Sequence, residues 1–218
     1  VTAVFTITVN DQKGGTATQD VTVVITGSND VPTLTATNVA GEILEGATLT
    51  DSGSIAFADL DLTDRPTATE ATKSVSAKLA DGTTTLVLTA EQQAAIENAF
   101  VITPAAGNSN NGTINWTYTI TEANLNFLAA GEKVTAVFTV TVNDQKGGTA
   151  TQDVTVVITG SNDVPTLTAT DVGGVILEGT TLSDTGSIAF ADLDLTDRPT
   201  ATEVTKAVTA LKADGTTA

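Results

Sequence analysis

Val1-Thr2-Ala3-Val4-Phe5 returns as Val134-Thr135-Ala136-Val137-Phe138, and the resulting 133-residue period constrains the fold more than any other feature of the chain. Segments 1–85 and 134–218 differ at 13 positions and agree at 72. The differences are mild, such as Ile7 against Val140 and Ala71 against Val204. Near-identical tandem copies describe an array in which each unit repeats one supersecondary design. Gly27-Ser28-Asn29-Asp30-Val31-Pro32 and its copy Gly160-Ser161-Asn162-Asp163-Val164-Pro165 are the natural punctuation, because Gly, Asn, Asp and Pro in one short stretch mark a turn of the chain. The expected organisation is therefore a closing piece of one unit at 1–30, a complete unit at 31–163, and an opening piece of the next at 164–218.

The pattern within a unit is β. Val4–Val9 and Val21–Ile25 are rich in β-branched residues, and Asn10-Asp11-Gln12-Lys13-Gly14-Gly15 between them reads as a hairpin connection. Further strands are expected at Thr33–Thr37, Ser54–Ala58, Ser74–Leu79, Thr84–Leu88, Phe100–Thr103 and Gly112–Ile120. A helix is expected at Glu91–Asn98, after the cap-like Thr89, and a weaker one at Glu122–Ala129. Short strands separated by turn signals predict an all-β fold, an immunoglobulin-like or cadherin-like sandwich repeated in tandem with one or two short helices per repeat. The two flanks pose a physical problem, since a lone hairpin is marginal in water. Three outcomes remain open for them: poorly ordered ends, a different unit boundary, or complementation by ends of neighbouring chains.

Charge narrows the function. The chain carries 26 acidic and 9 basic side chains, a formal net charge of −17, with no His and no Cys. Nucleic-acid and anionic-membrane partners are disfavoured, because phosphate recognition needs clustered Lys and Arg. Absence of His and Cys removes Ser-His-Asp and Cys-His catalysis, thiolate and imidazole zinc sites, and any disulfide framework. No apolar run reaches the ~20 residues of a membrane-spanning helix. Paired carboxylates can hydrolyse glycosides, but no cleft-lining aromatics accompany them here. The expectation is that the chain is not an enzyme. Val1 opens a strand rather than a signal peptide, so the sequence reads as an internal piece of something longer.

The acids are mostly Asp, 17 against 9 Glu, and they cluster. In Phe57-Ala58-Asp59-Leu60-Asp61-Leu62-Thr63-Asp64-Arg65-Pro66, residues 59 and 61 point to the same side of an extended chain. Two carboxylates on one side repel unless a cation lies between them. Ca²⁺ takes about six to eight oxygens at roughly 2.3–2.6 Å, from carboxylates and carbonyls. In a sandwich beginning near Pro32, the loop carrying Asp59, Asp61 and Asp64, the last hairpin loop carrying Asp144, and the linker pair Asn29-Asp30 all fall at one end. Glu45, in the turn Leu44-Glu45-Gly46, falls at the other end, near Asn162-Asp163 and the returning cluster Asp192, Asp194 and Asp197. The competing reading is a set of ordinary turn aspartates on a solubilising surface, with Asp64 paired only to Arg65.

A resemblance joins these residues. Thr141-Val142-Asn143-Asp144-Gln145-Lys146-Gly147-Gly148-Thr149-Ala150-Thr151-Gln152, followed by Val156-Val157-Ile158-Thr159-Gly160-Ser161-Asn162-Asp163-Val164-Pro165, resembles the end of a VCBS-type repeat. Tyr118-Thr119-Ile120 with Leu128-Ala129-Ala130-Gly131-Glu132, and Ile43-Leu44-Glu45-Gly46 with Gly53-Ser54-Ile55-Ala56-Phe57, are similar to that family too, so the match spans most of the unit. Such repeats occur in long bacterial surface proteins, notably RTX adhesins exported by type I secretion. The resemblance implies an extracellular, cell-surface location, a spacer role in attachment or biofilm formation, and neighbouring repeats of the same chain as partners, with no direct membrane contact. The joint also resembles that of cadherins, with an Asn-Asp-x-Pro linker, a D-x-D loop and an early Glu. By that analogy Asn29, Asp30, Glu45, Asp59, Asp61 and Asp144 are Ca²⁺ ligands, joined by Asp64. Their counterparts in the next copy are Asn162, Asp163, Glu178, Asp192 and Asp194. The glycine-rich nonapeptide of RTX β-rolls is absent.

Two other function classes stay open: a polysaccharide-binding module, and a homophilic module associating units on different chains. The single Trp, Trp116, alternates with polar residues in its strand and is expected in the core rather than on a sugar-stacking surface.

Overall fold

The computed structural model describes residues 1–216; the last two positions of the expected segment 164–218 lie outside the described residues. A single two-sheet sandwich occupies the middle of the chain. Its strands are β3 (Thr33–Ala36), β4 (Ala40–Leu44), β5 (Thr50–Ala58), β6 (Thr67–Lys78), β7 (Thr85–Leu86), β8 (Phe100–Pro104), β9 (Asn111–Thr119), β10 (Lys133–Asn143) and β11 (Thr149–Thr159). Helix α1 (Ala90–Glu97) and a 3-10 turn at Glu122–Asn124 complete the unit. One sheet runs β3-β5-β9-β8 and the other β4-β11-β10-β6-β7.

This order identifies the architecture. Lettered as immunoglobulin strands, the first sheet is A-B-E-D and the second A′-G-F-C-C′. The first strand is split between the sheets: β3 pairs antiparallel with β5, while β4 runs parallel to β11. The fold is therefore an immunoglobulin-like β-sandwich.

Period-2 patterning builds the core. Along β10 every second side chain is buried, from Val134 through Ala136, Phe138 and Val140 to Val142. β9 answers with Ile114, Trp116 and Tyr118, all fully buried. The Phe100 ring stacks on Phe138 with centroids 4.3 Å apart and on Trp116 at 6.0 Å. The indole Nε1 donates to the Asn38 carbonyl at 2.8 Å, so Trp116 is core and its one polar atom is satisfied. Gly53 is required opposite it, since a Cβ there would sit 2.6 Å from that nitrogen. α1 is held by a capping box, with Thr89 Oγ1 accepting from Gln92 N–H and Gln92 Oε1 accepting from Thr89 N–H.

Several boundaries differ from the sequence expectation. β4 was not expected, because Ala40-Gly41-Glu42-Ile43-Leu44 lacks a β-branched run and owes its extension to pairing with β11. β6 begins at Thr67 rather than Ser74, drawn out by pairing with β10 on both sides of a register shift between Val137 and Phe138. The strand expected at Thr84–Leu88 is two residues long. The helix expected at Glu122–Ala129 is only the 3-10 turn, after which the loop turns Leu125 and Leu128 into the core.

The flanks are sheets without cores. β1 (Thr2–Asn10) and β2 (Thr16–Val24) form an antiparallel hairpin whose apolar residues are exposed. β12 (Thr166–Asp171) and β13 (Ser187–Ala191) form a second two-stranded sheet, also exposed on both faces. Residues 200–210 carry no regular structure.

Candidate metal centres at the two joints

The acids gather at the two ends of the sandwich. At the upstream end, the β5–β6 loop supplies Asp59, Asp61 and Asp64, and the β10–β11 loop supplies Asp144. Carboxylate oxygens of Asp59, Asp64 and Asp144 lie within 4.8 Å of one another, and all three residues are buried. The loop is shaped from within: Asp59 Oδ1 accepts from Asp61 N–H at 2.9 Å, and Asp64 N–H donates to the Asp61 carbonyl at 3.0 Å. Asn110 fixes the end of β5, exchanging bonds with both the N–H and the C=O of Asp59. The linker closes over this loop. Asn29 Nδ2 donates to Asp144 Oδ2 at 2.9 Å, and Asp30 N–H donates to Asp61 Oδ2 at 2.8 Å.

Asp144 has a second occupation. Its Oδ1 accepts from the N–H groups of Lys146 and Gly148, pinning a turn in which Gln145 takes φ 64° and Gly147 φ 111°. Asp11 makes the same bonds in the first copy. Asp144 is thus a turn anchor whose remaining oxygen faces the joint, and the Asn29 amide, with those N–H groups, holds its carboxyl below the usual range.

Asp64 does not pair with Arg65. The guanidinium donates to the backbone carbonyls of Leu62 and Asp64, leaving the carboxylate free. Burial pushes the Asp64 carboxyl up, and the charges of Asp61 and Asp59 push the same way.

The downstream joint uses residues from both units. Glu45, buried just after β4, accepts the Ser161 N–H on Oε2 at 2.8 Å. Asp163 N–H donates to Asp194 Oδ2 at 2.9 Å, matching Asp30 and Asp61 upstream. Asp192, Asp194 and Asp197 again bring carboxylate oxygens within 4.8 Å. Asn162 is exposed in the linker and turns its amide onto the Asp163 carbonyl. Glu178 is exposed in the turn between β12 and β13 and joins neither cluster among the described residues. Two acids were missed by the sequence reading. Glu132 is buried, accepting Ala129 N–H on Oε2 and the Thr196 hydroxyl of the next unit on Oε1 at 2.7 Å. Glu122 lies close enough to Glu45 to act on its charge. Neither sits in a D-x-D pattern, so no local signal marked them.

None of these carboxylates forms an ion pair among the described residues. Among the described residues the one ion pair is Lys73–Asp153, exposed on the sheet face. Asp59 Oδ2 and Asp64 Oδ2 upstream, and Glu45 Oε1, Asp163 Oδ2 and Asp194 Oδ1 downstream, are buried with no hydrogen-bond partner. A buried, unpaired carboxylate costs several kcal/mol, so such groups occur where protons or a cation complete them. The donor set is all oxygen, which suits Ca²⁺ or Mg²⁺ rather than zinc or copper. The residues present fit a hard divalent cation.

By sequence the chain matches no protein-family profile and no curated protein. Among solved structures it is similar to the Ig1-Ig2 domains of Dpr2 in complex with DIP-Theta (8% identity, 72% of this chain, 40% of that one, TM-score 0.35). It is also similar to extracellular cadherin domains 3-6 of Protocadherin Gamma B2 (14% identity, 89% of this chain, 40% of that one, TM-score 0.36). A third likeness is to human CDH23 EC21-23 (15% identity, 88% of this chain, 54% of that one, TM-score 0.33). The chain spans about half or less of the length of these three chains. The fold assignment rests on the strand order given above. No helix among the described residues is long and apolar enough to cross a membrane, which says nothing about β-barrels.

Protons substitute for a cation when none is present, and this gives a pH signature. Burial pushes the Glu45 carboxyl up to about 7; the Ser161 N–H opposes the rise, and Asp163, Glu122 and Asp194 add to it. Asp194 is raised in the same direction, first by burial. A carboxyl whose folded value exceeds its unfolded value, here about 4.5 for Glu45, contributes stability below the unfolded value and loses it as pH rises through the folded one. Cation-stripped protein is therefore expected to melt at higher temperature at pH 5 than at pH 8. Glu45→Gln should flatten that difference. Scanning calorimetry across this range checks it; a midpoint that rises with pH in the stripped wild type contradicts it.

Proposed function

We propose that this chain is part of a calcium-rigidified extender of a bacterial cell-surface adhesin, a non-enzymatic spacer that holds an adhesive region away from the cell. The supporting observation is the set of partnerless buried carboxylate oxygens at both ends of the complete unit, with downstream members drawn from two successive units. The near-identical tandem repeat and the resemblance to VCBS-type repeats of RTX adhesins support the surface location and the spacer role. At each joint the chain's own residues do two things. Linker N–H groups and the Asn29 amide set the linker against the loops, and the inward carboxylates supply the oxygens that would hold Ca²⁺. Calcium, when bound, offsets the mutual repulsion of those carboxylates and ties adjacent units together. Without it the linker is free to flex.

The test is thermal unfolding and small-angle scattering of the chain in millimolar Ca²⁺, in excess EGTA, and in Mg²⁺. A site held at about 100 times its Kd contributes roughly 2.7 kcal/mol. For a unit of this size that raises the midpoint by roughly 10 °C. The expected result is a calcium-specific rise of that order together with a longer maximum dimension. An unchanged midpoint and an unchanged scattering profile would sink the proposal.

A further inference from the structure

Three segments meet at the downstream joint, and each is tied to the other two by protein groups alone. The first is the loop 125–132 of the complete unit, anchored by the buried side chains of Leu125 and Leu128. The second is the root of the linker. Gly131 N–H donates to the Gly160 carbonyl at 3.1 Å, and Gly160 N–H donates to the Glu132 carbonyl at 2.9 Å. Gly160 packs directly on the loop, since a Cβ there would sit 2.6 Å from the Ala129 carbonyl oxygen. The third is the loop 192–197 of the next unit, which holds the linker through Asp163 N–H on Asp194 Oδ2 at 2.9 Å.

The remaining side of this triangle spans the two units directly. Leu195 N–H donates to the Phe127 carbonyl at 3.2 Å, and the Thr196 hydroxyl donates to Glu132 Oε1 at 2.7 Å. Glu132 is 2% exposed, and its other oxygen accepts Ala129 N–H. It therefore differs from Glu45, Asp163 and Asp194, each of which keeps a buried oxygen with no partner. Both Glu132 oxygens are satisfied without a cation, one of them by the following unit. A hydrogen bond to a charged group is among the stronger kinds, and a buried carboxylate oxygen left without its donor is costly.

We infer that the loop 125–132 is a docking surface for the following unit of the same chain, and that this contact, rather than calcium, sets the angle between successive units. Three segments tied pairwise cannot turn freely about the linker, so the flexing left without calcium is a swing about the Glu132–Thr196 edge. Calcium in the proposed centres then stiffens a joint whose direction is already given. Leu62, Thr63, Asp30 and Asp61 stand one period before Leu195, Thr196, Asp163 and Asp194. Successive joints thus carry the same groups on the entering unit, and a constant angle per joint makes the spacer a rod of regular twist.

Because the chain has no Cys, two introduced thiols carry spin labels at chosen positions only. Ser76→Cys in β6 and Thr168→Cys in β12, both exposed, report the distance between the complete unit and the next. Dipolar distance distributions are recorded in excess EGTA and in millimolar Ca²⁺. The distance found in calcium should remain dominant in EGTA. Thr196→Val keeps the side chain's shape and loses its hydroxyl, and should lower that population in EGTA about 10-fold relative to all other distances. Thr196→Ser keeps the hydroxyl and should behave as the wild type. A wild-type distribution in EGTA with no dominant distance would overturn the inference. So would a dominant distance that Thr196→Val leaves unchanged, or one that Thr196→Ser loses to the same extent as Thr196→Val. These outcomes are read without calcium, whereas the calcium centres fail on an unchanged melting midpoint, so the two fail separately.

Discussion

Phe138→Ala is expected to destabilise the complete unit by about 3–5 kcal/mol, and Phe5→Ala to leave it unchanged within roughly 0.5 kcal/mol. The two residues occupy the same position of the repeat, within the same pentapeptide. Phe138 is sealed between the sheets, stacked at 4.3 Å on Phe100 and 6.1 Å from the Tyr118 ring. Truncating it removes the transfer free energy of a whole ring and leaves a cavity that its ring neighbours Phe100 and Tyr118 fill only in part. Phe5 faces solvent in a hairpin that shares no core with the sandwich. Denaturant unfolding followed by Trp116 fluorescence at low protein concentration separates the two, since Trp116 reports only on the complete unit. A comparable loss in both variants would show that the hairpin is part of the same cooperative core.

The second large effect is a reversal of sign. Replacing both Asp59 and Asp64 by Asn is expected to raise the midpoint of the calcium-stripped protein and to abolish the gain that calcium gives at the upstream joint. Without a cation these two side chains each hold a buried oxygen with no donor, and Asp64 is pushed toward its neutral form by burial and by the Asp61 and Asp59 charges. An amide removes the repulsion at almost constant volume. In calcium the same change removes two of the three clustered carboxylates, and affinity at that joint should fall by more than about 100-fold. Calcium titration by calorimetry and melting curves in EGTA read the two arms independently. Destabilisation of equal size with and without calcium would mean that these aspartates are loop anchors alone.

Much of this was legible in the sequence. The period, the linker at Asn29-Asp30, the β10–β11 hairpin and the cap of α1 follow from local chemistry: β-branched alternation, turn residues at fixed offsets, and a Thr three residues before a Gln. The arrival of the Asp59–Asp64 loop and Asp144 at one end was legible because a sandwich returns alternate loops to the same end, but the clustered carboxylates are Asp59, Asp64 and Asp144, while Asp61 turns to the linker N–H of Asp30. The limits were equally physical. β4 and the first half of β6 carry little apolar signal of their own and are strands because a neighbour supplies the hydrogen bonds. Asp64 was read as a Ca²⁺ ligand, with pairing to Arg65 as the competing reading; the guanidinium turns instead to backbone carbonyls, and Asp64 stands in the acidic cluster. Glu132 lies outside the acidic clusters along the chain, and only the packing of the β9–β10 loop against the next unit's Thr196 brings it to the joint.

The sequence by itself determined the repeat, the all-β architecture and which residue types meet at each joint, because these depend on composition and spacing within one strand or loop. Burial was decided only by the tertiary structure. Phe5 and Phe138, Glu178 and Glu45, share their local sequence and differ in whether a second sheet or a second unit stands opposite. Desolvation is what makes a ring stabilising or a carboxylate demand a cation, and desolvation requires that opposing surface.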